Sequence, residues 1–218
     1  MSLRQMLEMC CDRCKRVPGD RGLSPPCAIL PLESHTREEC AVTDAGTAED
    51  LISLLRSLRA VRSFRPDPVP REVVADILEV ARWSGSASNR QPWELVVIRD
   101  QETLGKLARV EGYAAHLRGA PLGIVCVMAG DRPEQETYDE GRLSERIMLA
   151  AWAHGVGSSI GWIVGEGRVE ATEILGIPED RTVRTAISLG YPDEGARRRR
   201  PGQARKPLSE IVHEERYG

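Results

Sequence analysis

Residues 84–93 read Ser-Gly-Ser-Ala-Ser-Asn-Arg-Gln-Pro-Trp, a small and polar stretch between two apolar patterns. Before it, apolar residues recur at three- and four-residue spacing over residues 71–83, which predicts an amphipathic helix. After it, residues 94–99 carry the Leu-Val-Val-Ile run of a buried strand, and Pro92 prevents the helix from continuing into that strand. Hydroxyl and amide groups held between two core elements can surround a flat polar ligand. We interpret the stretch as a ligand-binding loop; an ordinary helix-to-strand connection is the alternative.

A second motif lies upstream, where residues 59–66 read Arg-Ala-Val-Arg-Ser-Phe-Arg-Pro. The Thr-x-x-Asp pattern at residues 47–50 approximates a capping box, and the leucines that follow it predict a first helix over residues 48–58. That helix leads directly to Arg59 and Arg62, whose planar guanidinium groups suit a phosphate. From these residues alone, two solvated arginines are the simpler reading.

The rest of the chain alternates helical and strand patterns after a proline-rich extended connector at residues 65–70. We predict helices at residues 101–110, 138–154 and 166–175, and strands at residues 122–128, within 155–165 and at 184–190. Helix 138–154 has a broad apolar surface, which predicts contacts on more than one side; its members are Leu143, Ile147, Met148, Ala150, Ala151 and Trp152. This order predicts an α+β fold with a mixed, largely antiparallel sheet flanked by helices.

Composition limits the classes of partner. The 218 residues are 41% hydrophobic, which suits one globular domain with a sizeable core, and the formal net charge is −3. No apolar run approaches the roughly 20 residues of a membrane span, and the N-terminus has no compact apolar signal region. We expect a cytoplasmic protein that binds neither membrane nor nucleic acid, with the arginine run at residues 197–200 as a solvated loop.

The first forty residues differ from the remainder. They contain five of the six cysteines, namely Cys10, Cys11, Cys14, Cys27 and Cys40, and the first sixty residues contain no aromatic residue. Cys11 and Cys14 have the spacing of a zinc knuckle or a redox pair, but the later spacings, including His35, fit no common zinc module. We expect residues 1–41 to be a poorly ordered extension without metal, or a mis-assigned start, and residues 42–218 to be the folded domain.

Deleting residues 1–41 should leave the thermal unfolding midpoint nearly unchanged, because the segment has no aromatic anchor and no clear amphipathic period. Melting curves of the full and shortened chains measure this difference. Unfolding of the shortened chain, or about one zinc ion per full-length chain, would instead identify the cysteines as a structural metal site.

Residues 155–165 read Gly-Val-Gly-Ser-Ser-Ile-Gly-Trp-Ile-Val-Gly and imitate two known motifs. A dinucleotide-binding fingerprint needs glycines that follow a strand and open a helix, whereas these close a helix and enter a strand. A serine hydrolase using Ser159, with an aspartate and His213 later in the chain, is a minor alternative. Its nucleophile elbow also requires the order strand, turn, helix.

The Asn-Arg-Gln-Pro-Trp of residues 89–93, together with the motif at residues 59–66, resembles the FMN-dependent nitroreductase family. The resemblance extends from about residue 51 to the C-terminus, and the linked pair of motifs is more specific than either alone. Two positions depart from the family pattern, because Leu58 and Ala60 stand where the family has an arginine and a serine. The resemblance implies the same α+β fold and a reaction carried by the flavin, with no catalytic side chain assigned.

The resemblance also implies a cofactor site built from three segments. Its phosphate end would use Arg59, Ala60, Arg62 and Arg205. Its ring would meet Ser86, Ala87, Ser88, Asn89 and Gln91 from the partner subunit, and its reactive edge would meet the backbone of Ile163, Val164 and Gly165. His116 occupies a place where relatives often have a polar group near the flavin, although an exposed histidine is the simpler reading.

The implied protein is a homodimer with two shared FMN sites. It would take electrons from NADH or NADPH and reduce a small organic acceptor, such as a nitroaromatic, a quinone or an enone, by a ping-pong mechanism. Two alternatives stay open: a non-redox flavin or ligand-binding protein on the same fold, and a flavin-consuming or dehalogenating enzyme.

Overall fold

The structure, a computed structural model, describes residues 47–193 and 205–218. The predictions for residues 1–41 and 197–200 lie outside the described residues. The chain divides into two compact units, Met1–Ser53 and Leu54–Gly218. Within the first unit, the described part is residues 47–53, which begin the first helix.

Four antiparallel strands form the sheet of the second unit. They are β1 (Trp93–Ile98), β2 (Leu122–Met128), β3 (Gly157–Trp162) and β4 (Thr182–Gly190), in the spatial order β1-β2-β4-β3. A parallel bridge joins Ala60 to Ser158 in β3, where the Val61 N–H donates to the Ser158 carbonyl at 2.8 Å. The predicted mixed, largely antiparallel sheet is therefore confirmed.

The described residues form five α-helices. They are α1 (Ala48–Ser57), α2 (Arg71–Arg82), α3 (Gln101–Leu107), α4 (Pro133–Ala153) and α5 (Gly167–Leu175). The predicted ends agree closely except that α3 is shorter and α4 begins at Pro133 rather than at residue 138. Proline suits the first turn of a helix, and Glu134 and Glu136 lie in that turn, where a carboxylate interacts favourably with the helix dipole.

Helix α1 has the predicted capping box: the Asp50 N–H donates to Thr47 Oγ1 at 3.3 Å, and the Thr47 N–H donates to Asp50 Oδ2 at 2.7 Å. Leu51, Ile52 and Leu55 are nevertheless exposed, Leu54 is only half-buried, and α1 contributes no buried residue. The helix predicted from the amphipathic pattern is present, but its apolar side is not buried within a single chain.

The core of the second unit lies on both faces of the sheet. Side chains of α2 and α4 pack on one face against Leu122, Ile124 and Ile187. Side chains of α3 and α5 pack on the other against Val125 and Ala186. Successive strand residues point to opposite faces, so the two central strands, β2 and β4, are covered by helices on both faces of the sheet. No helix in residues 47–193 or 205–218 is both long and apolar enough to cross a membrane.

Candidate functional site

Three arginines line one cavity of about 600 Å³: Arg56, Arg59 and Arg205. The remaining lining residues are Leu55, Leu58, Ala60, Glu145 and Met148. Three guanidinium groups facing one carboxylate leave the cavity with a positive balance, and guanidinium groups bind phosphate oxygens through paired N–H donors. The cavity is therefore suited to a phosphate group.

The sequence predicted that Arg59 and Arg205 would share a site, but it did not single out Arg56. Arg56 lies in the last turn of α1, and Arg59 follows the end of that helix. The available signal was this closeness in sequence, because two arginines at one helix end can contribute their charges to one site. The structure brings both residues to the same cavity.

Arg59 also neutralises the end of α1. Its Nη1 donates to the carbonyl oxygens of Arg56 and Leu58, both at 2.6 Å. The last carbonyls of a helix lack partners within the helix and carry its negative partial charge. By covering two carbonyls at this end, Arg59 keeps the potential in the cavity positive.

Arg62 lies apart from this cavity and is not among its lining residues. Its charge instead acts on His116, whose Nδ1 lies 2.7 Å from Ser188 Oγ and whose Nε2 lies 3.3 Å from the Ile160 carbonyl. Burial lowers the pKa of His116, the bond to Ile160 opposes this, and Arg62 lowers the pKa further. Burial therefore favours the neutral imidazole. Because a carbonyl only accepts, the contact with Ile160 favours the tautomer with the proton on Nε2, in which Nδ1 is free to accept from the Ser188 hydroxyl.

His116 is half-buried, so the simpler sequence reading, an exposed histidine, is wrong. The strands β3 and β4 fix its ring through Ile160 and Ser188. The two arginines that the sequence predicted to act together are therefore separate: Arg59 lines the cavity, and Arg62 acts on His116.

The loop at residues 84–93 has a strained backbone. Ser88, Asn89 and Gln91 have φ angles of 52°, 53° and 51°, in the left-handed region that side chains disfavour. Such conformations cost on the order of 1–3 kcal/mol each and persist only where surrounding structure holds them, often at ligand sites. Ser86 Oγ accepts from the Gln91 N–H at 2.8 Å and closes the loop. This cluster of strained residues supports the interpretation of a ligand-binding loop over that of an ordinary connection.

The five predicted loop residues do not line the arginine cavity. The Ala87 N–H is already used within the protein, since it donates to the carboxylate of Asp139 at 3.3 Å. The side chains of Asn89 and Gln91 lie on the exposed side of the loop and contact each other at 3.3 Å. Within one chain, the residues predicted to bind the FMN phosphate and those predicted to bind its ring therefore lie on separate surfaces.

Two of the three backbone N–H groups at residues 163–165 already donate hydrogen bonds within the protein. The Ile163 N–H donates to the Arg184 carbonyl at 2.8 Å, and the Val164 N–H donates to the Glu111 carbonyl at 3.1 Å. Within the described residues, the Gly165 N–H has no hydrogen-bond partner. Gly165 has a φ of +50°, and a side chain there would overlap the Glu111 carboxylate. The structure therefore narrows the predicted backbone donors, Val164 and Gly165, to Gly165.

Ser159 is not a nucleophile. It lies within β3, fully buried, so the sharp turn of a nucleophile elbow does not form. His213 instead contacts the Gly218 carbonyl at 2.6 Å and the ring of Tyr217. The serine hydrolase alternative is contradicted. In residues 47–193 and 205–218, no three His, Cys, Asp or Glu side chains are grouped so as to hold a metal ion.

These features define an α+β protein with a cavity lined by three arginines and a separate strained polar loop. Residues 55–120 match the model of the nitroreductase family. A protein of Archaeoglobus fulgidus that bears the name NADH dehydrogenase/NAD(P)H nitroreductase is 33% identical over 153 residues, which cover 67% of this chain and 87% of that protein. A protein of the same name from Methanothermobacter thermautotrophicus is 32% identical over 171 residues, covering 76% of this chain and 90% of its own.

A solved FMN-dependent nitroreductase from Clostridium difficile R20291 superposes with a TM-score of 0.67 at 26% identity, over 76% of this chain and 99% of that chain. The chain belongs to the nitroreductase family. The resemblance based on the two motifs is confirmed, as are the predicted fold and the general class of oxidoreductase.

Proposed function

We propose that this protein is an FMN-dependent oxidoreductase that takes electrons from NADH or NADPH and reduces a small organic acceptor. The observation that carries the proposal is the convergence of Arg59 and Arg205, from opposite ends of the described chain, on one positively charged cavity. A relative of known structure, the Clostridium difficile protein, is named an FMN-dependent nitroreductase. We place the activity in the cytoplasm, where both nicotinamide donors are regenerated.

The residues present fit FMN. Arg56, Arg59 and Arg205 would bind its phosphate through charge-assisted hydrogen bonds. Arg56 offsets one departure from the family pattern, because it adds a guanidinium group to the cavity where Leu58 replaces an arginine. Ala60 supplies no hydroxyl group, so the arginines would carry the phosphate contact.

When bound, FMN supplies two-electron chemistry, since it accepts a hydride from a nicotinamide and passes electrons to a second substrate. The chain supplies binding and orientation. The unpaired Gly165 N–H would donate to an acceptor atom of the ring, and the amides of Asn89 and Gln91 would contact its polar edge. A site that serves two substrates in turn gives ping-pong kinetics.

We further infer a homodimer in which each FMN site uses both chains. The support is exposed apolar surface on the elements that carry the site residues. Leu55 is 48% exposed beside the cavity and Tyr138 is 79% exposed on α4. Residues 205–218 are exposed throughout and include Leu208, Ile211 and Tyr217. Exposed apolar surface is typical of an interface when its residues form one patch, and the separation of loop and cavity within one chain agrees with a shared site.

The absorption spectrum tests the proposal. The purified protein, or the apoprotein mixed with FMN, should bind about one FMN per chain and lose its visible flavin band when NADH or NADPH is added without oxygen. A protein that binds no flavin would overturn the proposal. Binding without reduction by either donor would identify a non-redox carrier, and a band that does not return in air would identify a flavin-consuming enzyme.

Replacing Arg205 by alanine should weaken FMN binding about 10- to 100-fold, because a hydrogen bond to a charged group contributes about 1.5–3 kcal/mol. Quenching of flavin fluorescence on titration measures the dissociation constant. Arg216→Ala is the matched control, since Arg216 is an exposed arginine of the same C-terminal segment that does not line the cavity. Equal affinity in both variants would move the phosphate site elsewhere.

A further inference from the structure

The strained loop at residues 84–93 requires contacts that hold it in place. Three left-handed residues within four positions would relax to other conformations in a free loop. Within the loop, the bond from the Gln91 N–H to Ser86 Oγ restrains only its turn. The remaining restraint comes from α4 and from the connection that precedes it.

Asp139 in α4 provides the central contact. Its side chain is 5% exposed, and its Oδ2 accepts from the Ala87 N–H at 3.3 Å. Its Oδ1 lies 3.8 Å from Nη1 of Arg142, one turn further along the helix. The guanidinium group of Arg142 in turn covers Gly85 so closely that a side chain at that position would overlap it. One carboxylate thus fixes the loop both directly and through Arg142.

A second set of contacts fixes the end of the loop. Arg90 Nη2 lies 2.6 Å from Asp131 Oδ2, and the Ala129 N–H donates to the Pro92 carbonyl at 2.9 Å. The carboxylate of Asp131 is exposed, so this ion pair is a weaker restraint than a buried one. Asp139 is therefore the group whose removal should release the loop most.

The partners of Asp139 distinguish it from an ordinary core residue. A buried carboxylate is costly to desolvate, and an apolar side chain would fill the same space at lower cost. Neighbouring Glu136 and Glu140 pair with Arg184 of the sheet. Within the described residues, both polar contacts of Asp139 instead lead to the loop, through Ala87 and Arg142.

We propose that Asp139 is a positioning residue that, with Arg142, holds the loop at residues 84–93 in the strained conformation that receives the flavin ring. The role of the loop in FMN binding rests on the proposed function, whereas the holding of the loop by Asp139 does not. Asp139 contacts neither cofactor nor substrate in this scheme and acts only through the loop backbone.

The experiment compares Asp139→Ala, Asp139→Asn and the control Glu134→Gln by hydrogen exchange of the apoprotein. Glu134 lies on the same helix and is exposed, and its side chain makes no hydrogen bond or ion pair among the described residues. Loss of a charge-assisted bond should raise exchange at Ala87 about tenfold or more in Asp139→Ala. Asp139→Asn should be intermediate, because its amide oxygen still accepts from the Ala87 N–H, and Glu134→Gln should match the parent protein.

FMN titration of the same variants is the second readout. The dissociation constant of FMN should rise about tenfold in Asp139→Ala and less in Asp139→Asn. The KM for the nicotinamide should rise in the same order as the exchange rate of the loop. A lower melting temperature with unchanged loop exchange would overturn the proposal and make Asp139 a core residue. Weaker FMN binding with unchanged exchange would also overturn it.

Faster loop exchange in a protein that binds no FMN in any form would leave the positioning role standing and remove the proposed function. If Asp139→Ala fails to fold, Asp139→Asn and Arg142→Ala provide the same comparison. Arg142 is an exposed helix residue, and its replacement uncovers Gly85 without leaving a buried charge at its own position. Loop exchange that stays at the parental rate in both substitutes would equally overturn the proposal.

Discussion

Replacing Arg184 by methionine should lower the free energy of unfolding by about 3–5 kcal/mol, because it removes the only cation paired with two buried carboxylates among the described residues. The Arg184 side chain is 8% exposed. Its Nε lies 3.0 Å from Glu140 Oε2, and its Nη2 lies 3.9 Å from Glu136 Oε2. Methionine has a similar volume, so the loss reflects charge rather than a cavity.

The two carboxylates differ in the other contacts that compensate their burial. Glu136 accepts hydrogen bonds from the backbone N–H groups of Gly130 and Arg132, whereas Glu140 Oε1 has no partner among the described residues. Without Arg184, Glu140 would be a buried charge one turn from Glu136. Most of the destabilisation should therefore come from Glu140.

Urea denaturation of parent and variant measures the change in free energy. Arg181→Met is the matched control, because Arg181 pairs with Glu94 at 3.3 Å on the surface, where such a pair contributes about 0.2–1 kcal/mol. Adding Glu140→Gln to Arg184→Met should recover part of the loss, since it removes the unpaired charge. Equal losses in the two methionine variants would show that burial does not strengthen the Arg184 network.

This charged network also explains where prediction from the sequence failed for the fold. Hydrophobic periodicity located the helices and strands, since most core positions are apolar and follow the spacing of their element. It missed the first turn of α4 because residues 134–137 contain no apolar side chain, although Glu136 is buried there, and it did not predict that Asp139 and Glu140 further along the helix are buried as well. The partners of these carboxylates include Arg184 on strand β4 and the Ala87 N–H in the loop at residues 84–93, both far away in the sequence. Local periodicity contains no information about such pairs.

Site residues that belong to a short sequence motif could be predicted, whereas contacts between distant segments could not. Arg59 and Arg205 were identified from motifs, and the structure places both at one cavity. Arg62 could not be separated from Arg59, because three residues of extended chain can direct two side chains to different surfaces. The commitment of the Val164 N–H to Glu111 depends on a bridge between segments that the sequence does not pair.

The second large effect concerns the proposed dimer. An Arg205→Glu chain should be inactive because it places a carboxylate in the phosphate cavity, and an Asn89→Asp chain should be inactive because it adds a charge to the ring-binding loop. If each site takes its cavity from one chain and its loop from the other, a mixed dimer contains one doubly altered site and one intact site. Random mixing of the two chains should therefore restore about a quarter of the parental sites.

Co-refolding equal amounts of the two chains, with mixed dimers confirmed by two affinity tags, measures the recovery of FMN binding and of NADH or NADPH oxidation. The matched control mixes Arg205→Glu with Arg59→Glu. Both residues line the same cavity of one chain, so no mixed dimer has an intact site and no activity should return. Recovery in the first mixture and none in the control requires the loop and the cavity of a working site to come from different chains. No recovery in either would assign both to one chain, and a fully active monomer in sedimentation would exclude the dimer.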